Sequence, residues 1–177
     1  RNYLSENRSR LVKPIIFIIL TSLIYTLISH YFHIEEKYIS YKGLEKSSIG
    51  TILKWIQGNY GYASILTGIF IAIWIKVFFI ICVYNFFELL IMLCFVQGIS
   101  MLIFALFAFA EGLLHYKLLN IAGFIGVIYL VWAIGNFFEA KKIGSYVKAL
   151  FSFLLGTLTF YIIIFTIGIT IDILTKH

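Results

Sequence analysis

The chain has 177 residues, of which 62% are hydrophobic and 12% charged, and its formal net charge is +6. A soluble domain is about half apolar and about a quarter charged, and one of this size has too small an interior to hide such an excess. These figures argue against a soluble fold, and the long unbroken apolar runs argue against a β-barrel, whose strands alternate over about 10 residues. The predicted fold class is all-α: a polytopic membrane helix bundle of about five transmembrane helices with a short interfacial amphipathic helix.

Residues 1–13 are polar and carry Arg1, Arg8, Arg10 and Lys13. The start at Arg1 rather than Met leads us to expect that this cytoplasmic segment ends a longer region. The first span is expected over 14–32, with Pro14 in the first turn, where its missing N–H costs nothing. The run is too long for a signal peptide, and no small-residue cleavage site follows it. An outer polar loop then covers 33–59. Inside it Ser48 is expected to cap a helix whose Ile49, Ile52, Leu53 and Ile56 fall at i, i+3, i+4 and i+7, flanked by Trp55. Two placements stay open: in the plane of the membrane interface, or packed on the bundle.

The next spans are expected over 60–82 and 86–110. The sequence between them is nearly apolar, but one helix over the whole stretch would far exceed a bilayer, so a turn is placed between Lys76 and Glu88. A re-entrant segment over 77–87 is the alternative. The last two spans are expected over 118–138 and 148–171. Gly68 with Ala72, and Ala122 with Gly126, have the spacing of close helix contacts.

Orientation follows from Lys and Arg. Arg1, Arg8, Arg10, Lys13, Lys76, Lys141, Lys142 and Lys148 fall on one side. Lys37, Lys42, Lys46, Lys54, Lys117 and Lys176 fall on the other, beside three Glu. The cluster before the first span favours a cytoplasmic N-terminus and an outside C-terminus. Trp55, Tyr60, Tyr62 and Tyr116 would form an outer aromatic belt, and Trp74, Tyr84 and Tyr146 an inner one. Placed this way, the basic residues suit anionic headgroups, and nucleic acid is not an expected partner. Cys82 and Cys94 both sit in apolar sequence and read as small buried hydrophobes.

Lys76, Asn85, Glu88, Gln97 and Glu111 are the candidate functional polar residues, because ionisable and amide groups within hydrocarbon are costly. Glu88 opens a helix whose N-terminus favours negative charge, and it has Lys76, Lys141 or Lys142 as expected ion-pair partners. Gln97 lies deeper, with an interhelical hydrogen bond as its ordinary role. His30 and His33 share a helix face, with Glu36 continuing the spacing and His115 on another helix. A zinc site needs three or four ligands, and a haem can be held by two histidines, so these residues remain metal candidates without a complete set, and no cofactor is expected. HExxH, GxSG and Walker motifs are absent from the sequence, so no catalytic residue is assigned.

The run from Arg1 through Arg-Ser-Arg-Leu-Val-Lys to Pro14, followed by an apolar helix, and Tyr84-Asn-Phe-Phe-Glu88 resemble an uncharacterised family of polytopic inner-membrane proteins of Bacteroidetes. Its members often carry a zinc-ribbon-like segment before the first helix. The resemblance implies upstream cytoplasmic residues and brings no known activity. This chain has Leu89 where such proteins often have a His after the glutamate, which removes any role for a Glu–His pair.

The leading expectation is a non-catalytic membrane subunit, an accessory or scaffold chain packed against other membrane proteins. A small transporter or channel using Asn85, Glu88 and Gln97 is the alternative. A lipid- or envelope-stress-related protein using residues 48–57 is the third.

Overall fold

The structure is a computed structural model and describes residues 13–34, 47–80, 84–139 and 142–175. Six helices and no strand occur among the described residues: α1 (Pro14–Tyr31), α2 (Ser48–Gly58), α3 (Tyr60–Phe78), α4 (Phe86–Leu114), α5 (Leu119–Glu139) and α6 (Ile143–Thr175). All but α2 are long and apolar enough to cross a membrane, which makes the chain an all-α, multi-pass membrane bundle. The N-terminal segment before Lys13, Glu36, Cys82, Lys141 and His177 lie outside the described residues, as does most of the loop expected over 33–59.

The five spans close into a ring in the order α1, α4, α5, α6, α3, and α3 also touches α4 across it. That contact divides the ring into a triangle (α1, α3, α4) and a four-helix group (α3, α4, α5, α6). The end at which α1 starts is the near end, and the opposite one the far end. At the near end the four-helix group is solid: Ile71, Ile75, Leu89, Met92, Leu93, Leu130, Ile134 and Ala149 form one buried cluster. In the triangle, a far-end cluster of Tyr25, Ile34, Ala105 and Ala108 joins α1 to α4.

Small residues set the closest approaches, as lipid-soluble helices require when no hydrophobic effect drives them together. A Cβ at Gly156 of α6 would stand 2.7 Å from Ile71 Cα of α3, and one at Gly98 of α4 would stand 2.6 Å from the Phe17 ring of α1. Gly61 seats Ser22, and Gly112 seats the Phe32 ring, in the same manner.

The turn between α3 and α4 comes earlier than the expected span end at 82. Phe78 is the last helical residue, and the Phe79 N–H donates to Ile75 O at 2.8 Å. Aromatic rings hold this turn. Phe79 stacks on Phe138 at 4.1 Å between centroids, Tyr84 lies 4.6 Å from Phe137, and Lys148 Nζ sits 5.5 Å from the Phe79 ring. Apolar composition could not reveal this stop, because ring-on-ring packing rather than polarity ends the helix.

Two spans are longer than expected. α4 continues past 110 to Leu114 with Glu111 inside it, and α6 covers 143–175 rather than 148–171. The first turn of α6 is tied into the bundle: Ser145 is buried, and the Tyr146 ring occupies the space beside Gly135 where a side chain would be. Hydropathy discounts such polar terminal turns although they are helical.

Candidate functional site

Most polar candidates at the helix ends turn out to be caps. A helix start leaves four N–H groups without intrahelical partners, and they need acceptors where water is scarce. At α4, the Asn85 N–H donates to Glu88 Oε2 at 2.9 Å, the Glu arm of an Asn-x-x-Glu capping box. The Glu88 carboxylate turns back onto its own helix start, and Lys141, one of its candidate ion-pair partners, lies outside the described residues. Lys76 lies in the last turn of α3, where a cation suits the helix dipole.

Glu111 does the same work for its neighbour. It is 2% exposed, and the N–H groups of Leu118 and Leu119 donate to its Oε2 at 2.9 and 3.0 Å. Leu118 precedes α5 and carries no acceptor of its own, so a carboxylate from α4 fills the capping role. The Glu111 carbonyl also accepts the His115 N–H at 2.8 Å, where the chain turns through a left-handed residue (φ 59°).

The amphipathic helix follows the same pattern. Ser47, not Ser48, is its cap: the Gly50 N–H donates to Ser47 Oγ at 3.2 Å. The Ser48 N–H donates instead to Asp172 Oδ1 at 2.8 Å, which ties α2 to the far end of α6. Ile49 is buried against Gly168, while Ile52, Leu53 and Ile56 are half-buried and Trp55 is exposed. Packing on the bundle is therefore the placement found.

His30 and His33 lie with ring centroids 6.2 Å apart, both exposed, and no group of three or more His, Cys, Asp or Glu that could hold a metal occurs among the described residues. Cys94 is buried.

Gln97 differs from all of these. It sits about 17 Å along α4 from Phe86 at 1.5 Å per residue, near the middle of the bundle. It is 7% exposed, and its carboxamide makes no hydrogen bond among the described residues. Its room comes from Gly68 of α3, where a Cβ would already be in van der Waals contact with the amide at 3.5 Å. Gln97 lines a cavity of about 370 Å³ inside the four-helix group, above the solid near-end core. Asn85 and Glu88, expected to share a path with Gln97, are not among the lining residues of this cavity.

The cavity also contains residues that were not singled out in the sequence: Ser64, Ser100, Gly123, Thr157 and Tyr161. Thr157 Oγ1 is buried without a partner among the described residues, unlike Thr67 and Thr159, which donate to the carbonyls of Ala63 and Leu155. A signal was present. Each of the four helices carries small or polar residues three or four apart on one face: 64 and 67, 97 and 100, 123 and 126, 157 and 161. Each pair alone is unremarkable, and only the fold brings the four together.

Comparison with family models, with curated proteins and with solved structures finds no match. The assignment that the fold itself supports is a multi-pass, all-α membrane bundle with a mostly apolar cavity that holds a few polar groups.

Proposed function

We propose that the chain is a non-catalytic integral membrane subunit, an accessory or scaffold component of a membrane assembly. The supporting observation is the use of the carboxylates among the described residues. Glu88, Glu111 and Asp172 each accept backbone N–H groups at a helix start, and the latter two do so between elements. Groups that a membrane enzyme or an ion pathway would use for chemistry instead hold a frame together. The inner-membrane location belongs to the same proposal and rests on the resemblance, while the cytoplasmic N-terminus rests on the distribution of Lys and Arg. Extraction in mild detergent followed by cross-linking mass spectrometry tests it. Stoichiometric co-purification with another membrane protein is expected, and a monomer without cross-linked partners in native nanodiscs refutes it.

A small transporter is the second reading, favoured by the placement of Gln97 in an intramembrane cavity. It requires solute flux in proteoliposomes that changes in Gln97→Leu. Equal flux in wild type, variant and empty vesicles removes it.

A further inference from the structure

The cavity has the make-up of a small-molecule site. Its walls are mostly apolar, from Ile71, Met101, Phe104, Leu130 and Phe153, with a few polar groups among them. Its volume of about 370 Å³ is within the usual range for ligand pockets. Two of its polar groups are buried and unpartnered among the described residues: the Gln97 carboxamide on α4 and the Thr157 hydroxyl on α6. The amide offers two donors and an acceptor, and the hydroxyl one donor and acceptor capacity. Buried groups of this kind ordinarily have partners, so their lack of one marks a place for something else to bind.

The lining also limits what that is. Among the described residues, no Asp, Glu, Lys, Arg or His lines the cavity, so a charged group inside it would meet no counter-charge from them. Among the lining residues, Val127 on α5 and Tyr161 on α6 are the exposed large hydrophobics, at 37% and 43%. The lining is therefore most open on the side of α5 and α6, while Ser64 and Gly123 stand one turn inside the far-end starts of α3 and α5. Phe124, Ile128, Leu158 and Ile162 are exposed on the same two helices, so an apolar tail leaving on that side meets apolar surface.

We propose that this cavity binds an uncharged amphiphile that enters from the bilayer, with a carbonyl or hydroxyl head between Gln97 and Thr157 and its apolar body leaving between α5 and α6. A neutral glyceride and a quinone share this chemistry. The site requires neither a partner subunit nor transport, so it stands or falls separately from the accessory role.

Gly123 provides the test. It shares a helix face with Gly126, Val127 and Leu130, all of which line the cavity, and a Cβ on it would meet nothing within 4 Å. Gly123→Leu therefore starts its side chain in open space beside the cavity lining, at a position where leaving glycine favours the helix. The full chain in nanodiscs is exposed to three photoreactive probes: a diacylglycerol, a quinone and an anionic phosphatidylglycerol. Adducts are mapped by mass spectrometry. At least one neutral probe is expected to label the α4–α6 lining. Labelling should fall about tenfold in Gly123→Leu and several-fold in Gln97→Leu, as the loss of a site and of one polar anchor require. Glyceride adducts alone point to a lipid source and quinone adducts alone to a redox-active one, and both together support the shared chemistry. Three results overturn the proposal: no cavity adduct with either neutral probe, as expected if water alone fills the space; labelling unchanged in a folded Gly123→Leu; or equal labelling by the anionic probe. Size-exclusion profiles establish folding. If Gly123→Leu does not fold, Gly123→Ala combined with Gln97→Leu gives the same decision.

Discussion

The ends of the helices and the middle of the bundle treat polar groups in opposite ways. At the ends, three carboxylates each hold backbone N–H groups at 2.8 to 3.0 Å, and even the buried Glu111 has its partners. In the middle, the Gln97 amide and the Thr157 hydroxyl are enclosed but unpartnered among the described residues. The first arrangement stabilises a fold. The second costs stability and persists only where something other than stability retains it. Among the described residues Glu88, Glu111 and Asp172 are structural, whereas Gln97 and Thr157 line the cavity; Ser29 Oγ of α1 is a further buried hydroxyl without a partner among the described residues.

Substitutions can sharpen or break that contrast. The largest loss is expected where helices touch backbone to backbone. Gly156→Leu forces a side chain onto Ile71 Cα, 2.7 Å from the first added carbon, and should cost about 3 kcal/mol, read as a lower melting temperature in detergent. Glu111→Ala leaves the N–H groups of Leu118 and Leu119 without their acceptor and should cost about 2 kcal/mol, with Glu111→Gln recovering much of it. Asp172→Ala should cost about 1 kcal/mol and act locally: hydrogen exchange in α2 rises while that of α4 is unchanged. The smallest effect has the opposite sign. Gln97→Leu removes an unpartnered amide and should leave the melting temperature equal or raise it, by at most about 1 kcal/mol in stability. A clear loss of stability in that variant would make Gln97 another structural residue and end the contrast.

Much of the fold was legible in the sequence. Five apolar runs announced five spans, Pro14 marked the start of α1, and the spacing of Ile49, Ile52, Leu53 and Ile56 announced α2. Helix ends were less legible, for identifiable reasons. Phe79 stops α3 through ring stacking, which an apolar sequence conceals, and Tyr146 extends α6 backwards by packing on Gly135. Roles were harder still. Glu88 as the opening residue of a helix suggested a cap correctly, because capping boxes are local. Glu111 caps the next helix from 7 residues away with no capping motif to mark it, and Asp172 caps α2 across 124 residues, beyond any local window. Gln97 was recognisable as unusual, but its cavity requires four helices that only the fold assembles.

The unequal lengths of the spans have a further consequence. α1 has 18 residues and α6 has 33, about 27 Å and about 50 Å at 1.5 Å per residue, against about 30 Å of hydrocarbon. These helices stand on opposite flanks of the ring, so the bilayer meets a short wall on one side and a tall one on the other. Lipids beside α1 need little adjustment, whereas those beside α6 face a helix that must lean or rise above them. α2 lies across the far end of α6 and covers part of that step. The bundle therefore carries a built-in difference in helix height, and acyl-chain length should change how far it tilts in the membrane.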